Sequence, residues 1–286
     1  MQHRNGHMGS DHDPVQSTRA SADRRIAERF SMQGRRALVT GGSVSIGRSI
    51  ALAFADAGAD VAIHHAMTAD VAFGKPGAAQ DTAREIGERG TRAVVIEADF
   101  ERPGEARRTV RDAAKALGAV DVLVVCASIQ YRTAFDEVTP EQIERQIQIN
   151  LRASIELLQE ALPPMKARGW GRVLTIGSIN QTRPEGELSI YAALKSAQHN
   201  LCINLARQYA PFGVTVNNLS PGLIATERNR WRRVDAQDWA RIEQSSSPMQ
   251  RAGTPDEMAG AALLLCSDAG SFITGADLQA TGGRHL

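Results

Sequence analysis

What the sequence lacks already narrows its chemistry. It has three cysteines, Cys126, Cys202 and Cys266, far apart and in apolar surroundings. So odd and scattered a set is neither a disulfide framework nor a thiolate metal site, and it reads as reduced thiols in a cytoplasmic protein. No apolar run approaches the ~18 residues that cross a bilayer, so no membrane partner is expected. No secretory apolar stretch follows the first residue, and no internal repeat breaks the pattern. Charge of one sign is missing too. The 33 Lys+Arg face 32 Asp+Glu, a formal net charge of +1, which gives no global electrostatic case for a nucleic-acid partner. His3, His7 and His12 lie near the start without a Cys or carboxylate arranged to complete a site, so no metal is expected.

What is present is enough for a core. The chain has 286 residues, 42% of them apolar, which excludes a disordered chain and suits one α/β domain. Residues 1–32 are polar and read as an extension with little structure, with at most one helical turn over Ala22–Phe30. From Gln33 to Leu286 short β-branched runs alternate with longer amphipathic segments. The runs are Arg36–Thr40, Asp60–His64, Arg92–Ala98, Asp121–Cys126, Gly171–Ile176, Gly213–Asn218 and Asp277–Ala280. The helical segments are Ile46–Ala57, Ala78–Glu88, Gly104–Leu117, Pro140–Arg168, Ser189–Ala210 and Thr254–Cys266, the fourth bent or ended by Pro163 and Pro164. Near-continuous apolar strands between helices predict a single doubly wound Rossmann-type α/β domain, its sheet covered on both faces. Right-handed crossovers then place the ligand crevice at the carboxyl ends of the strands.

The first strand runs into Thr40-Gly41-Gly42-Ser43-Val44-Ser45-Ile46-Gly47 and then a helix. Glycines allow a tight turn and close approach to a phosphate, and a helix N-terminus offers unpaired N–H donors. The pattern is not the common G-x-G-x-x-G, but its place after the first strand suits a dinucleotide diphosphate. The second strand ends in His64 and His65, and no acidic residue that would hold an NAD ribose occurs before Asp70. A 2′-phosphate favours cations, with His64, His65 or Arg48 as candidates, so the reading leans to NADP over NAD.

Tyr191 and Lys195 stand at i and i+4 of a helical segment and share a face. An ammonium beside a phenol favours the phenolate and brings it toward general acid/base work. Ser178 lies just past the end of the strand Gly171–Ile176, on the crevice edge.

In order, Thr40-Gly41-x3-Ser45-x-Gly47, Asp99, Asn150, Ser178, Tyr191-x3-Lys195 and Pro221-Gly222-x3-Thr226 closely resemble the short-chain dehydrogenase/reductase family, over roughly Gln33 to Leu286. The resemblance implies a seven-stranded, mainly parallel sheet and hydride transfer between NAD(P) and a carbonyl/hydroxyl pair. It makes Tyr191 the acid/base. Lys195 supports it and binds the nicotinamide ribose, Ser178 polarises the substrate oxygen, and Asn150 holds a proton-relaying water. Cofactor contacts are implied for Gly41, Ser43, Ser45, Ile46 and Gly47 at the turn, and for His64, His65, Asp99 and Phe100 at strand ends. Pro221, Gly222, Ile224 and Thr226 complete the set. The chain departs from the family at two places. Ser45 replaces a Gly or Ala, where it would either crowd the backbone or donate to a phosphate. Cys126-Ala127-Ser128 replaces Asn-Ala-Gly.

The loop from Ile179 to Ile190 is rich in hydrogen-bonding side chains, which suits a small polar carbonyl or alcohol substrate such as a sugar, sugar acid or polyol. After Thr226 comes Glu227-Arg228-Asn229-Arg230-Trp231-Arg232-Arg233, a lid segment by resemblance. Its arginines suit a carboxylate or phosphate on the substrate, or an acidic acyl carrier protein, which keeps a 3-oxoacyl thioester reductase as the alternative. A non-catalytic dinucleotide-binding protein is a third reading, disfavoured by the presence of both Tyr191 and Lys195. Apolar residues on more than one face of the long helices, among them Ile143, Ile147, Leu151, Leu201 and Leu205, together with the resemblance, suggest a homo-oligomer, a dimer or tetramer.

Overall fold

A computed structural model describes residues 26–286, and of the extension expected over residues 1–32 the stretch 1–25 lies outside them. Seven strands form one parallel sheet in the order β3-β2-β1-β4-β5-β6-β7. They are β1 (Arg36–Thr40), β2 (Asp60–His65), β3 (Ala93–Glu97), β4 (Val122–Val125), β5 (Gly171–Ile176), β6 (Val214–Pro221) and β7 (Asp277–Ala280). The order reverses between β1 and β4, which opens the crevice typical of a doubly wound sheet.

Alternation along β1 shows why both faces need covering. Ala37 and Val39 pack on one side with Ile50 and Phe54 of helix α2 (Ser45–Asp56). Leu38 packs on the other with Val110 and Leu117 of helix α5 (Glu105–Leu117). Helix α1 (Ile26–Arg29) precedes β1, and α3 (Met67–Ala72) and α4 (Ala78–Glu88) follow β2. Met32 is fully buried and its N–H donates to the Ala57 carbonyl at 2.8 Å, so the folded body starts before the expected boundary at Gln33.

The segment Pro140–Arg168 is helical throughout but not uniform. It runs as α6 (Pro140–Gln146), a π-helical stretch over Ile147–Arg152, and α7 (Ala153–Arg168). Pro163 and Pro164 neither end nor break it. Both prolines are exposed, while Leu162 and Met165 on either side are buried in the core. The carbonyls they leave unpaired are therefore on the solvent side, and the helix stops only at Gly169, with φ 68°. Helix α8 (Ser189–Tyr209), α9 (Ala236–Ser246) and α10 (Pro255–Cys266) complete the fold. Strand β6 runs three residues past its expected end at Asn218 because Leu219–Pro221 pair with Leu278–Ala280 of β7. Among the described residues no helix is long and apolar enough to cross a membrane, and no group of three or more His, Cys, Asp or Glu could hold a metal ion.

The opposite end of the sheet is tied by Asp121. Its carboxylate accepts from Arg36 Nε at 2.7 Å and from Arg36 Nη2 at 3.0 Å, and pairs with Arg168 at 3.4 Å. Asp121→Ala takes the carboxylate from two guanidiniums beside a buried strand end, while Arg168 keeps its hydrogen bond to the Val120 carbonyl. It is expected to cost about 2 kcal/mol, below the range for fully buried pairs because Arg36 and Arg168 are partly exposed. Urea unfolding of the two proteins measures it.

Candidate active site

The strand ends open into a crevice of about 450 Å³. Every residue singled out for cofactor or catalysis lines it except Asn150 and Arg48. The turn after β1 is shaped by close approach. Gly41 has φ +64°, and a Cβ there would meet Ala127 Cα at 3.2 Å. A Cβ on Gly47 would fall on the Gly41 carbonyl oxygen. The N–H groups of Ser43, Val44, Ser45 and Ile46 donate to no described residue and stand at the start of α2. Such a cradle of free donors without side chains in the way fits a dinucleotide diphosphate.

Ser45 takes a glycine-like backbone, with φ 53°, at a cost of about 1–2 kcal/mol for an L-residue. Its hydroxyl oxygen accepts the N–H of Glu227 at 3.1 Å, so it anchors the lid segment.

At the end of β2 the structure corrects the expected cations. His64 accepts the Gly41 N–H on Nδ1 at 3.2 Å, donates from Nε2 to the Ala98 carbonyl at 3.1 Å, and stacks on Phe100 at 4.0 Å. Burial pushes its pKa down to about 4, so His64 is a neutral brace for the glycine turn rather than a phosphate-binding cation. The ring of Phe100 is likewise committed to that stack. Arg48 is paired with Glu85 at 2.7 Å on the helix surface. His65 donates from Nδ1 to Asp70 at 2.8 Å, and Ser43 Oγ donates to the other oxygen of the same carboxylate at 2.7 Å. Asp70, only 2% exposed, was not a predicted site residue. Helix α3 folds it back beneath the strand end, although it lies five positions along the chain. Asp99 accepts the Glu101 N–H at 3.0 Å where it lines the crevice.

At the other end, Ser178 Oγ accepts from Asn180 N at 3.1 Å and from Asn180 Nδ2 at 3.3 Å. With its lone pairs engaged, the hydroxyl keeps its proton to donate into the crevice. Lys195 is 2% exposed; its Nζ donates to the Ile176 carbonyl at 2.6 Å and to Gln198 Oε1 at 3.0 Å, and sits 5.7 Å from the Tyr191 ring centre. Burial pushes its pKa below the ordinary lysine value, Tyr191 opposes the shift, and Arg228 adds to it. Gln198 donates to Ser154 Oγ at 3.0 Å, and Ser154 donates to the Asn150 carbonyl at 2.8 Å. The Asn150 side chain brackets Ile129, accepting its N–H and donating to its carbonyl, both at 2.8 Å. Thus Asn150 is buried, and a hydrogen-bonded path of protein groups runs from Lys195 to it through Gln198 and Ser154. Gln198 carried a signal that could have been read: it is three residues after Lys195 on the same helical face.

The Cys126–Ser128 departure is accommodated. Thr40 Oγ1 accepts the N–H groups of Cys126 and Ala127 at 2.9 and 3.2 Å, and donates to Val124 at 3.1 Å, joining β1 to β4. Ser128 receives Arg228 on its carbonyl at 2.6 Å. Lys75 pairs with Glu227 at 3.2 Å, so the lid segment is held across the crevice from several sides. Pro221, Gly222, Ile224 and Thr226 form the wall from which it springs.

The sequence model described as enoyl-(acyl carrier protein) reductase matches residues 41–285. An L-rhamnose 1-dehydrogenase (NAD(P)(+)) of Sphingomonas is 32% identical over 89% of this chain and 98% of its own length. An acetoacetyl-CoA reductase of Allochromatium vinosum is 32% identical over 87% and 98%. The crystal structure of a 3-oxoacyl (acyl-carrier-protein) reductase from Agrobacterium tumefaciens, with NADP bound, superposes with a TM-score of 0.85 at 41% identity, covering 91% of this chain and 97% of that one. The chain belongs to the short-chain dehydrogenase/reductase family and is an NAD(P)-dependent oxidoreductase.

The state of His64 has a thermodynamic consequence. Its folded pKa is about 4 against 6.5 for the free side chain. The unfolded chain therefore binds the extra proton first, and stability falls as pH drops from 6.5 toward 4. The contribution is about 3 kcal/mol. Comparing the unfolding free energy of the protein and His64→Gln across this window is expected to show the variant losing that component of acid sensitivity.

Proposed function

We propose that the protein transfers hydride between NADP(H) and a secondary alcohol or carbonyl of a small polar substrate of sugar, sugar-acid or polyol type. The observation that carries the reading is the loop after Ser178. It brings Asn180 and Glu185 into the crevice beside Tyr191, while Arg132, Arg232 and Arg284 line the same space. Hydrogen-bonding groups at the reacting end favour a hydroxylated substrate over an acyl chain.

The bound nicotinamide supplies or accepts the hydride. In reduction, the Ser178 O–H donates to the substrate carbonyl oxygen, and Tyr191 gives that oxygen its phenolic proton as the carbon gains the hydride. Oxidation reverses each transfer. Lys195, with two donors fixed by Ile176 and Gln198, has a third for the crevice, where its charge stabilises the phenolate of Tyr191. Preference for NADP is supported by Asp70. The nearest carboxylate past β2 is buried and already committed to Ser43 and His65, so it offers little to a free ribose diol. The NADP bound in the Agrobacterium relative agrees.

A second reading, reduction of a 3-oxoacyl thioester, is favoured by that same relative and by Phe135, Trp231 and Val234, which are exposed on the surface. We also place the protein in the cytoplasm as a homo-oligomer, dimer or tetramer, with Ile203 on the outer face of α8 exposed for a second copy.

Two measurements test the proposal. Fluorescence titration is expected to show NADPH binding at least tenfold tighter than NADH, about 1.4 kcal/mol; the reverse order overturns the cofactor reading. Tyr191→Phe is expected to lower kcat by about 10²–10⁴ with NADPH affinity little changed. Turnover that survives this change rules out Tyr191 as the proton donor.

A further inference from the structure

Three guanidiniums gather around one carboxylate in the crevice. Arg132 pairs with Glu185 at 2.6 Å and with Glu187 at 3.2 Å. Arg284, near the carboxyl terminus, reaches the other oxygen of Glu185 at 3.3 Å. Arg232, from the lid segment, lies within electrostatic reach of both arginines and both glutamates, yet makes no hydrogen bond or ion pair with the described residues. Burial, then repulsion by Arg132, destabilises its charge, whereas the positive neighbours hold the half-buried Glu185 carboxyl below its usual range against burial. Three cations face two anions, and the uncompensated charge rests on Arg232, partly desolvated and lining the crevice.

This cluster is tied directly to the reacting end. The N–H of Glu185 donates to Asn180 Oδ1 at 2.9 Å, and Asn180 in turn donates to Ser178 Oγ. The loop therefore fixes the distance between the hydroxyl that polarises the substrate oxygen and the arginines. A guanidinium fork recognises a planar carboxylate with two parallel hydrogen bonds.

We propose that Arg232, flanked by Arg132 and Arg284, is a carboxylate-binding subsite, so that the substrate is a hydroxylated carboxylic acid whose reacting carbon lies at Ser178 and Tyr191. This rests on the polar-substrate reading above and narrows it to the sugar-acid class. An acidic carrier protein fits less well. Arg232 faces into the crevice with Asn180, while the exposed Arg183 is occupied by the carbonyl of Leu286 and Arg241 by Asp238.

The test pairs kinetics with binding. Against a panel of six-carbon aldonates and the matched neutral aldoses and polyols, the enzyme is expected to favour the aldonates in kcat/KM. Arg232→Gln is expected to lower the aldonate-to-neutral ratio at least tenfold, chiefly through KM, and Arg232→Lys to recover part of it. Arg241→Gln is the control and moves neither. Separately, malonate, which carries carboxylates but no oxidisable hydroxyl, is titrated calorimetrically into the enzyme–NADP complex. It is expected to bind, to weaken with salt, and to lose at least tenfold in affinity in Arg232→Gln. Absence of turnover on every panel member, with malonate binding intact, overturns the polar-substrate reading but leaves the anion subsite standing. Malonate binding that is absent, or equal in both proteins, overturns the subsite. So does an Arg232→Gln defect confined to thioesters borne on an acyl carrier protein, which reassigns the arginines to that docking.

Discussion

The site is organised around a buried ammonium. Lys195 sits almost out of reach of water, and a cation there is tolerated only because the Ile176 carbonyl and the Gln198 amide oxygen accept from it at short range. Ile176 is the last residue of β5, so the same hydrogen bond that solvates the lysine fastens helix α8 to the strand end that precedes Ser178. Gln198 passes the constraint to Ser154 and thence to Asn150, where the π-helical stretch turns the Asn150 side chain onto Ile129. A π segment costs helix geometry, and its recurrence at functional sites is explained here by what it positions. Three helices and a strand are thereby registered to one charge.

The architecture was legible because both-face burial leaves a strong mark. Runs such as Gly171–Ile176 and Asp277–Ala280 coincide with β5 and β7, and Ala78–Glu88 is α4 as read. Legibility failed where side chains, not periodicity, decide the outcome. Strand β6 continues beyond Asn218 through Ser220 to Pro221, and it carries the polar Asn217, Asn218 and Ser220 inside the sheet. They are buried because Asp277 accepts from Asn218 at 2.8 Å and Ser220 at 2.6 Å, and Ile273 accepts from Asn217 at 2.8 Å. Pro163 and Pro164 looked like an ending, and only the burial of Leu162 and Met165 shows why the helix persists. Helix α3 has no apolar stripe to announce it.

The site divides in the same way. Glycines, Ser178, Tyr191 and Lys195 are visible from order and spacing because their chemistry demands fixed residue types. Charge state is not visible. His64 and His65 looked like equivalent cations at a strand end, yet one is a neutral imidazole stacked on Phe100 and the other is held by a hydrogen bond to the buried Asp70. Ser45 could be read as crowding the backbone or as a phosphate donor; the backbone turn shows its oxygen accepting the Glu227 N–H of the lid, which leaves the hydroxyl proton to donate.

These two anchorings give the crevice its asymmetry. At the cofactor end, side chains are engaged within the protein: Arg48 with Glu85, Lys75 with Glu227, and Asp70 with Ser43 and His65. What remains there is a ring of uncharged N–H donors, suited to a diphosphate through the backbone and not through side-chain charge. At the substrate end the balance is left open, because Arg132, Arg232 and Arg284 outnumber Glu185 and Glu187. Arg228 adds a further cation against the neutral carbonyl of Ser128, close enough to Lys195 to depress its pKa. A ligand that brings a negative charge to this end relieves both the repulsion among the arginines and the strain on the buried lysine. A neutral ligand relieves neither.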